Sequence, residues 1–272
     1  ECFGFNISWN NKTNTVIIET NTDRLMKVHF LDVGQGDSIF IQLPNGKTML
    51  IDGGNLENGT QIVNYLKNNG VKRLDYLIAT HPHADHIGGL EKVVREIGAE
   101  NYYMPKVSSN TDTFKRFLQA VSDSGKTINT AKAGVVVFDG ENLKGEFVAP
   151  NSQEYSDLNN YSAVLLLTYD KKRFLFAGDA QAKSENEIKT NISADVLKVG
   201  HHGSDTSTTE KFLQKVKPTY AIISVGKDNE YGFPKDETLS RLKRYGCKVY
   251  RTDESGTIVV STNGKVVTVS TN

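Results

Sequence analysis

Short apolar runs alternate with longer amphipathic segments along most of the chain. The short runs are rich in β-branched residues and end at Gly, Asn or Asp, which is typical of strands. In the longer segments apolar residues recur three and four positions apart, as Ile62, Val63 and Leu66 do, which predicts helices. Strands are predicted at residues 15–20, 27–32, 38–43, 48–51, 76–79, 100–104, 135–138, 146–149, 163–169, 173–177, 196–199, 220–224, 248–251, 257–261 and 266–270. Helices are predicted at residues 59–69, 87–97, 111–122, 184–190, 208–215 and 235–245.

The order of these elements indicates an α/β fold. A strand-rich section followed by strands that alternate with helices occurs twice, over residues 27–130 and over residues 131–270. We therefore expect two sheets packed face to face with helices outside. No linker divides residues 25–272, which we treat as one domain, whereas residues 1–24 are predicted to form a polar spacer or an added strand.

Composition excludes several classes of protein. Of the 272 residues, 38% are hydrophobic and 24% are charged, which describes an ordinary globular protein and not a disordered or fibrous one. The formal net charge is zero, so bulk charge does not indicate a strongly basic nucleic-acid binder, although a local basic groove remains open. Two cysteines cannot form a disulfide framework or a cysteine-based zinc knuckle, and no apolar run is long enough to span a membrane.

Metal-competent side chains are concentrated in short segments. Five of the six histidines fall in two clusters, the first with His81, His83 and His86 and the second with His201 and His202. His81 and His83 alternate along an extended segment and therefore point the same way. Asp85 and His86 follow at the start of a predicted helix and can face a second point nearby. One segment can thus supply ligands to two metal positions.

Two further apolar strands end in residues of the same chemical kind. FLFAGDAQ, residues 174–181, leads to Asp179, whose carboxylate can bridge two cations. ADVLKVGHHGS, residues 194–204, delivers the second histidine cluster. Imidazole and carboxylate ligands without thiolate fit zinc, manganese or iron and argue against copper(I). We therefore expect two divalent metal ions, zinc or manganese.

These segments resemble a known family. THPHADH resembles the H-x-H-x-D-H signature of the metallo-β-lactamase superfamily, and its place after LIDGG and before GDA and a late HH fits the same family. Other segments look like the hydrolase domain of the competence protein ComEC and its stand-alone relatives, and bacterial phosphorylcholine esterases share a similar set: FLDVGQGDSIFIQLPNGKTMLIDGG, NNYSAVLLL, FLFAGDA, LKVGHHGS, AIISVG and RTDESGTI. The resemblance runs from residue 27 to about residue 260.

The resemblance implies a four-layer αββα sandwich with a two-metal site at one edge. By matching positions, it implies that His81 and His83 bind one metal and that Asp85 and His86 bind the other. Asp179 is then expected to bridge the two metals. We expect Asp85 to act in catalysis as well as in metal binding.

The family also implies roles for residues around these ligands. One of His201 and His202 completes the second metal site; His202 is favoured as the ligand, with His201 as a proton donor or phosphate contact. Ser204 is expected to donate hydrogen bonds to phosphoryl oxygens. Asp52 is expected to orient a ligating imidazole, the alternative being a turn aspartate before two glycines.

Two positions depart from the family pattern. Many members carry another metal-binding His shortly before the bridging Asp, where residues 157–167 of this chain have none and Asn160 or Ser162 falls instead. The first metal is then completed by water or substrate, or is bound weakly. In addition, Phe233 stands where ComEC-like domains often have His, which puts a nuclease activity in doubt more than the metal site.

Three functions compete. The first is a phosphodiesterase acting on nucleic acid, a ComEC-like nuclease; the second is an esterase on a small or cell-wall phosphodiester such as phosphorylcholine. The third is a binding module without turnover, and β-lactam hydrolysis ranks below all three. Dinucleotide and serine-hydrolase motifs are absent. Several side chains are taken as ordinary core or surface residues, with phosphate or base contacts as the alternative: Lys198, Lys227, Lys235, Tyr102, Tyr103, Tyr155, Tyr161 and Tyr231.

The N-terminal stretch indicates a compartment. The chain opens at Glu1 with a polar, Asn-rich segment, from which we expect a secreted or cell-surface protein with a signal peptide or membrane anchor upstream. A sharper hypothesis makes Cys2 a lipid-modified cysteine. The alternative is a cytoplasmic protein with a free Cys2. The oligomeric state is left open.

Overall fold

The computed structural model describes residues 5–10, 13, 15–20 and 25–271. Cys2, and with it the predicted lipidation, lies outside the described residues.

The strands alternate apolar and polar residues or are apolar throughout, as the sequence indicates. Their bounds are β1 Phe5–Asn10, β2 Thr15–Thr20, β3 Met26–Phe30, β4 Ile39–Gln42, β5 Thr48–Ile51, β6 Leu74–Ile78, β7 Ala99–Met104, β8 Ile128–Thr130, β9 Val136–Asp139, β10 Leu143–Ala149, β11 Val164–Tyr169, β12 Lys172–Phe176, β13 Val196–Lys198, β14 Tyr220–Ile223, β15 Lys248–Arg251, β16 Ile258–Thr262 and β17 Val267–Thr271. Strands β1 and β8 were not predicted from the sequence.

The helices are short, and some of them follow a Thr or Asn at the N-cap position. Thr111 and Thr209, for example, each accept a hydrogen bond from the backbone N–H three residues later, which caps the helix. Their bounds are α1 Gly59–Asn68, α2 Ala84–Ile87, α3 Leu90–Glu96, α4 Asp112–Asp123, α5 Ala182–Glu187, α6 Glu210–Val216, α7 Asp236–Arg244 and α8 Thr252–Ser255. Short 3₁₀ helices cover Leu56–Asn58, Leu158–Tyr161 and Gly200–Gly203.

The strands from β3 onward form two mixed sheets. One has eight strands in the order β17-β16-β3-β4-β5-β6-β7-β8, and the other has seven in the order β15-β14-β13-β12-β11-β10-β9. Strands β5 to β8 run parallel, as do β12 to β15. Strands β1 and β2 pair with each other in a separate antiparallel sheet. The parallel halves carry the functional loops at their carboxyl ends.

Three apolar clusters separate four layers. One lies between the two sheets and includes Phe30 from the first sheet and Phe147 and Phe176 from the second. A second lies under α1, α3 and α4, and a third lies under α6 and α7. Each buried Phe contributes about 1.5–3 kcal/mol to stability. The αββα sandwich expected from the sequence is confirmed.

Two predicted features were wrong. The final hairpin, β16 and β17, belongs to the first sheet because β16 pairs with β3, so the second half of the chain does not form one sheet by itself. The single helix predicted at residues 87–97 is two helices, α2 and α3, separated by Gly88 and Gly89. A Cβ on Gly88 would stand 2.4 Å from the backbone nitrogen of Leu56, so the chain needs glycine here for close packing.

Candidate metal centre

The first pair of histidines lies just beyond the carboxyl end of β6. The chain is still extended at His83, which has φ −71° and ψ 148° and caps α2. His81 and His83 therefore face the same side, and their Nε2 and Nδ1 atoms lie 3.0 Å apart. His81 is fully buried, whereas His83 borders the cleft. Two imidazole nitrogens thus converge on one point, as the alternating spacing predicted.

The second group gathers around the first turn of α2. His86 Nε2 lies 3.7 Å from Asp85 Oδ2 and 3.3 Å from Nε2 of His202. Nε2 of His202 in turn lies 3.2 Å from Asp85 Oδ2. Asp85 and His86 come from the first sheet and His202 from the loop after β13 in the second, so this group joins the two sheets.

Asp179 lies between both groups. It follows β12 through Gly178, whose φ of +53° is in the left-handed region that favours glycine. Its Oδ2 lies 3.8 Å from Nε2 of His81, 3.2 Å from Nε2 of His86 and 3.5 Å from Nε2 of His202. Its Oδ1 is buried without a hydrogen-bond partner. A buried carboxylate with one unused oxygen and three imidazoles around the other is suited to bridging two cations.

Hydrogen bonds outside these groups set which nitrogen of each imidazole is free. Asp52 Oδ2 lies 2.8 Å from Nδ1 of His86, and the backbone carbonyl of Ser224 lies 2.9 Å from Nδ1 of His202. A carbonyl or carboxylate oxygen accepts, so in a neutral imidazole Nδ1 holds the hydrogen and Nε2 keeps its lone pair. Both free nitrogens point at Asp179.

Asp37 and Lys198 form a buried ion pair behind the centre. Their Oδ2 and Nζ atoms lie 2.6 Å apart, and Asp37 Oδ1 lies 3.4 Å from Nδ1 of His202. Lys198 is 1% exposed, so the expectation of a solvated surface lysine was wrong. The reason is that β13 is buried on both faces, and a lysine there needs a carboxylate partner. Asp37 was missed, although it ends a glycine-rich turn, DVGQGD, which was a usable signal.

The pKa shifts report the charge balance. Burial disfavours the charged form of His86, but the carboxylates of Asp179 and Asp85 outweigh it, so the pKa lies well above the ordinary value. The pKa of His202 is raised in the same way, against burial, chiefly by Asp179. Burial would raise the pKa of Asp179, but the two imidazoles hold it well below its usual range. Burial lowers the pKa of His81. The carboxylates therefore draw positive charge into the centre.

The donor set fits divalent metal ions. Two ligands of one tetrahedral zinc ion, each about 2.0–2.1 Å from the metal, lie about 3.3 Å apart. The ligand atoms of Asp85, His86, Asp179 and His202 all lie within 4.8 Å of one another, at separations close to that value. Asp37, Asp52 and His86 also lie close together, but there Lys198 already pairs with Asp37 Oδ2 and Thr80 donates to both oxygens of Asp52.

The remaining predicted residues lie around the centre. His201 has its Nε2 3.8 Å from Asp179 Oδ2, and its side chain is 21% exposed to the cleft. Ser162 accepts a hydrogen bond from the backbone nitrogen of Asp179 at 3.0 Å. Ser204 is buried, with its hydroxyl 3.0 Å from that of Thr206, and it does not line the cleft within the described part of the chain.

The structure distinguishes two adjacent asparagines. Asn160 accepts from the backbone nitrogen of Ser184 and donates to Gln181, so it holds the start of α5. Asn159 instead lines the cleft, and its Oδ1 is buried without a hydrogen-bond partner. Asn159 was missed. The sequence offered only the NN pair, and the turn of the 3₁₀ helix decides which amide faces the cleft.

The centre opens to solvent through a cleft of about 360 Å³. Its walls come from the loops after β3, β6, β10, β12 and β13 and from the segment before α7. Its lining residues are Gln35, His83, Ala84, Asp85, Asn159, Asp179, His201, His202, Tyr231 and Phe233. Of the tyrosines considered for stacking, Tyr102 and Tyr103 are buried in the core, and Tyr231 lies at the cleft.

Comparison with known proteins agrees with this centre. The family model described as the metallo-beta-lactamase superfamily matches residues 31–227, which include every proposed metal ligand. The chain belongs to this superfamily. A solved structure with a similar fold, described as a metal-dependent hydrolase from Parabacteroides distasonis, gives a TM-score of 0.52 at 16% identity, and the match covers 93% of this chain and 99% of that one.

Curated proteins with similar sequences include members of the competence branch of the superfamily. ComE operon protein 3 of Bacillus subtilis is 34% identical over 90% of this chain and 34% of its own length. Competence protein ComA of Neisseria gonorrhoeae is 30% identical over 84% of this chain and 31% of its own length. The chain therefore spans about a third of the length of the curated relatives that it matches. The resemblance to the ComEC-like branch is confirmed.

Proposed function

We propose that this chain is a metal-dependent phosphodiesterase that cleaves nucleic acid. The observation that carries the proposal is Asp179 Oδ2, which lies 3.2–3.8 Å from Nε2 of three imidazoles belonging to two ligand groups. His81 and His83 would hold one cation and Asp85, His86 and His202 the other, with the Asp179 carboxylate placed between the two groups. When bound, two cations of this kind activate water near neutral pH and neutralise charge on a phosphoryl oxygen.

The charge of the centre favours an anionic substrate. Four carboxylates, those of Asp37, Asp52, Asp85 and Asp179, face one ammonium, that of Lys198, which leaves a formal charge of −3 with neutral imidazoles. Two divalent cations change this to +1. A phosphodiester carries one negative charge and is attracted to such a centre from a distance, whereas a neutral substrate is not.

The residues around the ligands have separate tasks in this reaction. Asp52 keeps Nε2 of His86 free, and the Ser224 carbonyl does the same for His202. His201 borders the cleft and can donate a hydrogen bond to a phosphoryl or leaving oxygen. Asp85, with 29% of its side chain exposed, is a proposed metal ligand that also borders the substrate space.

The relatives point to DNA as the polymer. One of them is named a competence protein, and competence is the uptake of DNA. The alternatives have less support. A module without turnover needs no complete set of ligands. A phosphorylcholine esterase needs a site for a quaternary ammonium group, and the Lys235 ammonium beside the Phe233 ring of the cleft wall disfavours a second cation there.

The test is cleavage of an end-labelled single-stranded DNA oligonucleotide by protein stripped of metal and then given manganese or zinc. We expect cleavage only with metal, and a loss of at least about 100-fold in Asp179→Asn, because the shared carboxylate is gone. The matched control is Asp205→Asn, an exposed carboxylate in the same turn as His201 and His202, which should cleave like the wild type.

Three results would go against the proposal. Protein that binds metal but leaves DNA intact is not a nuclease, and small phosphodiesters such as phosphorylcholine esters become the substrates to examine. Protein that binds no metal is a non-catalytic module. Equal activity in Asp179→Asn and in the wild type points to a contaminating nuclease.

The compartment stays a prediction. The described residues contain no helix that is long and apolar enough to cross a membrane. The secreted or cell-surface location was inferred from the N-terminal stretch, and it is tested by locating the native protein in cell fractions.

A further inference from the structure

One wall of the cleft is aromatic. The rings of Tyr231 and Phe233 stack, with centroids 5.6 Å apart and planes 18° from parallel; we call this pair the aromatic shelf. Phe233 also meets the His201 ring edge-on at a centroid distance of 5.4 Å. Because His201 Nε2 lies 3.8 Å from Asp179 Oδ2, the shelf begins beside the metal ligands and extends away from them.

The shelf is exposed and held in place without a ligand. Tyr231 is 53% exposed although one face is covered by Phe233, so the other face is open to solvent. Lys235 donates a hydrogen bond to the Tyr231 carbonyl at 2.7 Å, and its ammonium lies 5.3 Å from the centre of the Phe233 ring. Asn229 bonds both the backbone nitrogen and the carbonyl oxygen of Phe233. These contacts fix the ring pair before anything binds.

We propose that the aromatic shelf is a base-binding subsite, on which the nucleobase next to the scissile phosphate stacks against Tyr231. The inference rests on the proposed phosphodiesterase function and names the substrate class of the same cleft. A base adjoins its own phosphate, so a phosphodiester held at the metals brings a base to the neighbouring wall. Stacking tolerates any base, because every base has a π face.

The charges around the shelf leave stacking as its main source of affinity. Lys227 and Lys235 are balanced by Asp228 and Glu230 in the same segment. Counterion release, which gives basic grooves their affinity for nucleic acid, is therefore small at this wall. The metals bind the phosphate, and the shelf distinguishes a nucleotide from a bare phosphodiester.

The same wall disfavours a choline group. A quaternary ammonium ion binds where several aromatic faces surround an empty space. Here the Lys235 ammonium already lies over Phe233, so a second cation would meet a like charge. The shelf is a flat pair of rings and therefore suits a flat, uncharged base.

The test compares two substrates on the metal-loaded protein: a thymidine oligonucleotide and an oligonucleotide of the same length with abasic residues on both sides of each phosphate. The quantity measured is the ratio of kcat/KM for the first substrate to that for the second. We expect a wild-type ratio of roughly 5 to 100, which Tyr231→Leu brings close to one and Tyr231→Phe retains. Val266→Ala, an exposed apolar side chain in the final hairpin, should keep the wild-type ratio.

Each other result overturns the inference in a recognisable way. A wild-type ratio near one, with both substrates cleaved, removes the subsite and leaves the phosphodiesterase standing. Equal ratios in Tyr231→Leu and Tyr231→Phe show that the π face of the ring is not what binds the base. Cleavage of neither substrate by metal-loaded wild type overturns the proposed function together with the subsite.

Discussion

Asp52 illustrates how one side chain sets the chemistry of another. Its backbone adopts a φ of +59°, which is uncommon for a residue other than glycine. In this conformation Oδ1 accepts from the backbone nitrogen of Thr80 at 2.8 Å, and Oδ2 accepts from the Thr80 hydroxyl at 2.6 Å and faces Nδ1 of His86. These contacts favour the prediction that Asp52 orients an imidazole over the alternative that it is only a turn aspartate.

Replacing this carboxylate should weaken metal binding. In Asp52→Asn an amide N–H₂ faces the Nδ1 hydrogen of His86 or the Thr80 hydroxyl, so the imidazole loses its orientation. We expect a loss of roughly 10- to 100-fold in metal affinity, measured by competition with a chromophoric chelator. Asp75→Asn is the control, because that carboxylate accepts from Thr48 at the far end of β6. Equal losses in both variants would contradict the orienting role.

The buried Lys198–Asp37 pair predicts an unequal effect of two lysine substitutions. Lys198→Met leaves the Asp37 carboxylate buried near two imidazoles with no ammonium, and we expect a loss of about 3 kcal/mol in the free energy of unfolding. Lys172→Met removes a pair at a similar distance, 2.7 Å, that is about a quarter exposed, and should cost less than about 1 kcal/mol. Urea unfolding with chelator present measures both. The double variant Lys198→Met, Asp37→Leu should be more stable than Lys198→Met alone. If its loss in unfolding free energy equals the sum of the losses of the two single variants, the two charges are not coupled.

At the scale of elements, the loop between β3 and β4 supports the first turn of α2. The backbone nitrogen of Asp37 donates to the carbonyl of Asp85 at 3.1 Å, and that of Gly53 donates to the carbonyl of His86 at 2.6 Å. Gly36 has φ +142°, and a Cβ there would stand 2.4 Å from the Asp85 carbonyl oxygen. The proposed metal ligands of α2 are therefore positioned by two neighbouring loops as well as by their own helix.

Two glycines of this loop form a matched pair for a test. Gly34 also has a positive φ, +70°, but a Cβ there would meet nothing within 4 Å. We expect Gly34→Ala to lose about 1 kcal/mol from backbone strain, and Gly36→Ala to lose more because its Cβ also meets a backbone oxygen. Only Gly36→Ala should also displace Asp85 and lower metal affinity, by about tenfold or more, in a calorimetric titration. Unchanged metal affinity in Gly36→Ala would mean that the loop does not position the ligand.

At the scale of the whole molecule, the metal centre joins the two sheets. His81, Asp85 and His86 follow β6 in the eight-stranded sheet, whereas Asp179 and His202 follow β12 and β13 in the seven-stranded sheet. The native arrangement collects ligands that an unfolded chain keeps about 100 residues apart in sequence. Metal binding should therefore stabilise the fold.

The expected stabilisation is measurable by scanning calorimetry. A metal ion at 100 times its Kd adds about 2.7 kcal/mol per site, which for a domain of this size raises Tm by roughly 5–10 °C. Asp179→Asn should lose most of this increment because the carboxylate serves both metals. The same increment in the variant and the wild type would show that the metal binds elsewhere.

Local pattern was sufficient for much of this protein. His81, His83, Asp85 and His86 could be predicted as ligands because they lie within one short segment, where the backbone alone decides which side chains share a side. The layered α/β fold followed from runs of period two alternating with segments of helical period. Both are properties of neighbours in sequence.

Only the tertiary structure decided the remaining features, and each depends on contacts between distant residues. Lys198 was expected at the surface because a lysine is usually solvated, and its partner Asp37 lies 161 positions away in the chain. Strand β16 joined the first sheet through pairing with β3, which no local pattern encodes. The geometry favours His202 over His201 as the ligand, because His202 Nε2 lies near both Asp85 and Asp179, and this depends on folding that brings distant segments together. The sequence by itself determines the residue types and the order of helices and strands along the chain. Packing determines the partner of each buried charge and the sheet that each strand joins, because the free energy of such a contact depends on the whole fold.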